Sequence, residues 1–392
     1  MRRIVGLLLL SVLVAACTPE PEPPADVIAS VEPTVEKSGS LSSDETPAAD
    51  DSCDGLGRPP ARGQITFLSE GRLIGVSPNG LRRTCLADLS SELFSGGPFH
   101  SWNAPGDRRI LAGNLIGPDA AIDPLPMRWH ASEWSRPTGA SLVRITRAGR
   151  LEKRSLEDGS VTDISFLAHH DDVAYHPAGT HLAVSGEAED GSYGVYITTN
   201  VGTEPQLLAR GEESRYVDQL VFSQGGRSLY FVADHGKKVH LHRLSLNPPS
   251  EGDTGTVQEV EFDTLSVADS ISNLVVSPFT PPDAIAWTED GDCAAGQPSR
   301  LRSEGTGTVA EPSLPADLMD RSIVPIGFLP SLRLVVHARS TGCSTAQPGD
   351  IYVLGRSGAP TFIEDQEVAA ASVRFAHGPP PPPPDIEQEV VA

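Results

Sequence analysis

Between about residues 63 and 377 one pattern recurs at roughly 50-residue spacing: a short apolar strand, a Pro/Gly-bearing turn, then a second apolar strand. The copies fall at 102–111, 173–184, 220–231, 274–287 and 326–336. Two apolar runs flanking a turn bury their faces by folding back on each other, so each copy reads as a β-hairpin. A second hairpin follows most copies, for example 194–197 with 206–208 and 350–354 with 361–363. Five pairs keep one offset of 50: Trp287 and His337, Cys293 and Cys343, Gln297 and Gln347, Pro298 and Pro348, Leu301 and Ile351. With 37 Gly and 35 Pro in 392 residues, long helices are excluded and many short strands are not. Four strands per unit at this spacing predict the blades of a β-propeller.

The two ends complete the pattern. Residues 64–68, 72–76 and 81–86 make only three strands, and 371–376 supply the missing innermost one. Pairing the termini closes the ring and removes sheet edges that would otherwise template aggregation. The expected fold is thus all-β, a six-bladed propeller closed by the C-terminal strand. The second blade carries an insertion, about 114–138, holding Trp129 and Trp134. If it forms a blade of its own the count becomes seven; a two-sheet sandwich is the remaining alternative. Trp102 and Trp287, on inner hairpins, read as wedges between blades. The run Ile65-Thr-Phe67-Leu-Ser69…Leu73-Ile-Gly-Val76-Ser-Pro-Asn79-Gly80-Leu81-Arg82-Arg83 resembles the repeat of TolB-type, WD-like periplasmic propellers. The turns at His176-Pro177-Ala-Gly179 and Ser277-Pro278 resemble degenerate copies of that family's Ser-Pro-Asp-Gly turn. The resemblance spans about 63–377 and implies a fold; that fold serves many unrelated functions.

The N-terminus supplies an address. Arg2 and Arg3 precede an apolar run from Ile4 to Ala16, shorter than the roughly 20 residues a spanning helix needs. It reads as a signal peptide, residues 1–16. Leu13-Val14-Ala15-Ala16-Cys17 resembles the lipobox of bacterial lipoproteins, which implies cleavage before Cys17 and lipidation of its thiol. Several acyl chains anchor far better than one. Thr18 where inner-membrane retention uses Asp implies the outer membrane. Residues 17–62 are then the lipidated Cys and a Pro/Glu/Ser-rich tether, too polar to fold and stiffened by proline and like charge. Residues 378–392 form a tail with six consecutive prolines, a polyproline II stretch.

Setting Cys17 aside leaves four cysteines, an even number in an exported chain. The 50-residue register puts Cys293 and Cys343 in equivalent loops of neighbouring blades, within bridging range. Cys53 and Cys85 form the second expected pair, pinning the tether's end to the first blade. A zinc site is the competing use of the four.

Composition and motifs narrow the chemistry. Thirty Lys+Arg against 52 Asp+Glu give a net charge of −22, which excludes the basic footprint of a nucleic-acid binder. No G-x-S-x-G, P-loop or H-E-x-x-H motif occurs, so no catalytic residue is assigned. A fused hydrolase would need a further domain's length of chain after the ring. In a propeller blade the second-to-third and the blade-to-blade loops share one end. That end gathers His100, His169, His170, Asp171, Asp172, Glu213, Asp234 and His235 as candidate binding residues at a channel mouth. Glu187, Glu189, Asp190, Glu212, Glu289, Asp290 and Asp292 add to an acidic rim that also keeps the protein soluble. His240-Leu-His242 lies on one strand face at a spacing some metal ligands use. The expected protein is a monomeric, lipid-anchored, non-catalytic envelope propeller that binds a protein, peptide or glycan. No cofactor is expected; the alternative is a metal-assisted enzyme built on His100, His169, His170, Asp171 and Asp172. A purely structural spacer is a third reading.

Overall fold

The computed structural model describes residues 64–373 apart from 70–71, 81–82, 89–99, 103–108, 112–113, 117–121, 125–131, 137, 211–215, 248–257, 278–283, 290–297, 306–308, 311–313, 315, 330–331, 341–348, 356–360 and 369. The expected signal peptide, tether and tail, with Cys17, Cys53, Glu213, Cys293 and Cys343, lie outside the described residues. Strands are everywhere, and the helical element among the described residues is one 3-10 turn, Ala316–Leu318.

Seven four-stranded antiparallel sheets follow each other along the chain. The first holds β1 (Ile65–Ser69), β2 (Arg72–Val76) and β3 (Arg83–Asp88), with β28 (Ala370–Val373) added beside β1. The second holds β4 (His100–Trp102), β5 (Arg109–Leu111), β6 (Asn114–Ile116) and β7 (Ile122–Pro124). The third holds β8 (Ser132–Trp134), β9 (Ser141–Ile145), β10 (Leu151–Ser155) and β11 (Val161–Asp163). Next come β12 (His169–Tyr175), β13 (His181–Glu187), β14 (Tyr193–Thr199) and β15 (Gln206–Arg210). The fifth sheet is β16 (Tyr216–Phe222), β17 (Ser228–Asp234), β18 (Val239–Asn247) and β19 (Gln258–Ala268). The sixth is β20 (Ile271–Val276), β21 (Ile285–Glu289), β22 (Arg300–Glu304) and β23 (Val309–Ala310). The last is β24 (Ser322–Leu329), β25 (Arg333–Arg339), β26 (Gly349–Leu354) and β27 (Thr361–Val368).

The leading strands abut in ring order: β12 meets β8 and β16, β20 meets β16 and β24, and β28 meets β24 and β4. The expected closure is present, with Ile65 opposite Val373 and Phe67 opposite Ala371. Five of the expected blades correspond one to one with a sheet. The second, with its insertion, is built as two, which gives the seven-sheet alternative. The reason is local: β6 and β7 inside the insertion complete the β4–β5 sheet, so β8 starts a further sheet with β9 to β11.

Period-two alternation does the packing. On β17, Leu229, Phe231 and Ala233 join Val195, Ile197 and Leu208 of the preceding sheet. The intervening Tyr230 and Val232 join Ile271, Ile285 and Trp287 of the following one. The fifth sheet is therefore apolar on both faces, and each fully buried side chain of this size contributes roughly 1.5–3 kcal/mol. Trp287 is fully buried among residues of two sheets, as a wedge should be; the side chain of Trp102 lies outside the described residues.

One turn recurs in three hairpins, β2–β3, β12–β13 and β16–β17. Gly80 N–H donates to the Ser77 carbonyl (2.8 Å), Gly179 to His176 (2.8 Å) and Gly226 to Ser223 (2.9 Å). The fourth residue sits at φ +75°, +74° and +67°, a region that favours glycine. The Ser77–Gly80 turn and its expected copy at His176–Gly179 are thus one structure, shared by the proline-free Ser223–Gly226, while the copy at Ser277-Pro278 leaves the described residues after Ser277.

Candidate functional site

Four of the seven innermost strands carry bulges: β12 between His170 and Asp172, β16 between Asp218 and Val221, β20 between Ser272 and Val275, and β24 between Pro325 and Gly327. A bulge leaves backbone N–H groups unpaired by the ladder. Here the previous sheet supplies the acceptor. Asp172 accepts the Leu220 N–H through Oδ2 and the Val173 N–H through Oδ1, both at 2.8 Å. One sheet on, Gln219 repeats the role: its Oε1 accepts the Leu274 N–H at 2.8 Å and its Nε2 donates to the Ile271 carbonyl at 3.3 Å. Gln219 and Asn273, at the bulges, both hold positive φ. Ser185 adds a second tie, donating to the Val217 carbonyl at 2.8 Å. Burial pushes the Asp172 carboxyl up to about 8 despite its two N–H donors, and the charges of Asp218 and Glu133 add to the shift. Desolvation raises Glu133 as well, against the pull of Arg136.

The neighbouring candidates divide between the interior and the rim. His170 is buried; Nδ1 donates to the Gly149 carbonyl at 2.7 Å, and Nε2 accepts the Phe166 and Leu167 N–H groups at 3.3 Å. Burial lowers its pKa, so the ring is a neutral staple of the β9–β10 turn onto β12. His169 and Asp171 remain at the rim, with Nε2 and Oδ1 3.3 Å apart. Asp171 also accepts the Tyr193 hydroxyl at 2.6 Å, and that hydroxyl accepts the Val217 N–H at 3.0 Å. Tyr193 and Glu133 belong to this neighbourhood and were not among the sequence candidates. No spacing rule points to them, because they arrive from the third strand of one sheet and the first strand of another. For His100 the strand alone is described, β4, and not its side chain. Cys85 is disulfide-bonded, and the cysteines that could partner it are outside the described residues.

Asp234 and His235 stand at a second place, the β17–β18 hairpin. Asp234 Oδ1 accepts the Gly236 N–H at 2.6 Å, and the His235 N–H donates to the Lys238 carbonyl at 2.9 Å. Gly236 takes φ +84°, which lets the chain reverse. In the ladder His240 faces Ala233 and His242 faces Phe231. His235 continues the β17 face of Phe231 and Ala233, so the reversal folds it onto His240 and His242. One ring nitrogen from each of the three lies within 4.8 Å of the others. The rings of His235 and His240 are stacked, centroids 4.1 Å apart. His242 is buried between Phe231 (5.3 Å) and Phe262 (4.7 Å), and its Nδ1 lies 3.1 Å from Thr264 Oγ1. Burial and the two neighbouring imidazoles push His242 down to about 4, and burial lowers His240 also. His235 Nε2 is buried with no hydrogen-bond partner. Burial thus favours the neutral form of His240 and His242, which is the protonation state that ligates metals.

No family model matches this chain, and no curated protein does. Solved structures do. A protein from Bacteroides fragilis provisionally assigned as a 6-phosphogluconolactonase is 12% identical, with a TM-score of 0.50, over 80% of this chain and 98% of its own. A protein from Agrobacterium tumefaciens provisionally assigned as TolB is 16% identical, with a TM-score of 0.44, over 70% of this chain and 96% of its own. TolB from Acinetobacter baumannii is 12% identical, with a TM-score of 0.41, over 80% of this chain and 68% of its own. At such identities a likeness speaks for the fold alone, an all-β propeller, and a fold of this kind does not define an activity.

Proposed function

We propose that the protein is a lipid-anchored propeller of the bacterial cell envelope, held at the outer membrane through Cys17, that binds a protein, peptide or glycan without chemically altering it. The observation that carries this reading is the order of parts: a lipobox and a polar tether in the sequence, placed ahead of a closed propeller. The inner-strand chemistry supports it. His170 and Asp172 are engaged in bonds that hold sheets and turns together, which leaves them poorly placed to serve substrate. What faces solvent at the second-to-third loop end is acidic: Glu187, Glu189 and Asp190 are exposed, with His169 and Asp171 beside them. Such a face suits a cationic or hydroxyl-rich partner. Bridges from Cys293 to Cys343 and from Cys53 to Cys85 complete the proposal.

The test uses a photo-crosslinking residue in the intact cell. Placed at Glu187 or Asp190 it should trap one discrete envelope partner. At Val201, exposed in a third-to-fourth loop at the other end of the same sheet, it should trap none. Equal trapping at both ends, or none at either, would overturn the reading. In the same cells Cys17→Ser should move the protein from the membrane to the soluble fraction.

A further inference from the structure

We propose that His235, His240 and His242 form a binding site for one divalent transition cation, of which zinc is the type, on the outer half of the fifth sheet. Two observations carry it. The hairpin register brings one nitrogen of each ring within 4.8 Å of the others. Tetrahedral coordination at about 2.0–2.1 Å needs ligating nitrogens roughly 3.3–3.4 Å apart. Small ring rotations cover that difference. His235 Nε2 is buried and unpartnered, an uncommon and costly state for a ring nitrogen unless something occupies the space before it.

The surroundings fit a metal site. Thr264 Oγ1 takes up His242 Nδ1, which leaves Nε2 as the ligand and fixes the ring plane, as outer partners of metal-bound imidazoles do. Phe231 and Phe262 flank His242 with apolar rings, so the inner side is dry and the outer side, at His240 and His235, is half exposed. Three imidazoles without a carboxylate select zinc, copper or nickel over calcium and magnesium. Three protein ligands leave the fourth position to water or to a group from a partner. Charge does not oppose entry: the nearby Lys238 ammonium is paired with Asp269 at 2.5 Å, and the chain's net charge is −22. The site lies at the same second-to-third loop end as the proposed partner surface but on different residues of the next sheet, and it can be right or wrong independently of that surface.

The experiment uses the full mature chain without a histidine tag, titrated with zinc chloride by calorimetry and checked by elemental analysis after gel filtration. The expected result is one equivalent of zinc and a thermal midpoint raised by the metal. His240→Gln with His242→Gln should weaken binding by at least about tenfold and abolish the thermal shift. His169→Gln, at the rim, should leave both unchanged. His242 is wedged between aromatic rings, so His240→Gln alone, at a half-exposed position, is the second arm if the double variant does not fold. Wild type that holds no zinc, or His240→Gln that still holds a full equivalent as tightly, would overturn the proposal.

Discussion

Asp172 shows how one side chain can set the pH response of a fold. It bridges two sheets through the Val173 and Leu220 N–H groups, and burial pushes its carboxyl to about 8. In the unfolded chain a carboxyl gives up its proton near pH 4. Between those values the folded state holds the proton and the unfolded state does not, so this group makes stability fall as pH rises from about 4 to about 8, with no further change above. Asp172→Asn keeps the shape but turns an amide N–H₂ toward one of the two donors, which costs about 1–3 kcal/mol. It also removes the ionisation. Thermal melts should therefore show a deficit relative to wild type that is largest near pH 5 and shrinks steadily toward pH 8. A deficit constant across that range would mean that Asp172 is ionised in the folded protein. Nothing in the string His169-His170-Asp171-Asp172 announces this division of labour. The four residues look alike as polar neighbours, and the bulge after His170 decides which side chains enter the interior and which stay at the rim.

At the scale of elements, the shared turn is the unit that was written locally and therefore readable. Ser77 to Gly80, His176 to Gly179 and Ser223 to Gly226 each need only four residues and a glycine at positive φ. They also touch across sheets: a Cβ built on Gly226 would lie 2.1 Å from His176 Nε2. Gly226→Ala should thus destabilise twice over, through left-handed strain and through displacement of a buried ring, by about 1–3 kcal/mol in denaturant unfolding. Gly159→Ala, at φ +71° with open space around it, carries the strain alone and should cost less. A Gly226 variant no worse than the Gly159 variant would show that the His176 contact is soft. Strand alternation, hairpins and the closing of β28 on β1 were equally legible, since each follows from period-two burial. The seventh sheet was less so. β6 and β7 are three residues each, too short for alternation to stand out, and they differ from the insertion's neighbours only in whom they pair with. The histidine cluster escaped for a related reason. His240 and His242 share a face by spacing, but bringing His235 to them requires the hairpin register, Ala233 opposite His240, which no composition or motif encodes.

Across the whole ring, stability rests on contact between neighbouring sheets and on no inner strand ending without a neighbour. β28 meets both requirements: it extends the first sheet at β1 and abuts β24 and β4. Without it, the row of N–H and C=O groups on β1 from Ile65 to Leu68 becomes an open edge beside a large apolar cluster that includes Phe67, Leu329 and Val335. An exposed flat edge of that kind recruits other chains. Deleting residues 370–392 should therefore lower the thermal midpoint by well over the few degrees of a typical point mutation and produce aggregates in sedimentation. Deleting only 378–392, the proline-rich tail, should leave the midpoint and the monomer peak where they are, because the closing strand β28 spans Ala370–Val373 and is kept whole. The two truncations differ by eight residues, 370–377, so the contrast isolates the closure itself from any effect of removing tail charge or length. If both behave like the full chain, the packing between neighbouring sheets holds the ring without its strand-to-strand lock, and the inter-sheet bonds from Asp172 and Gln219 become the features on which the integrity of the propeller depends.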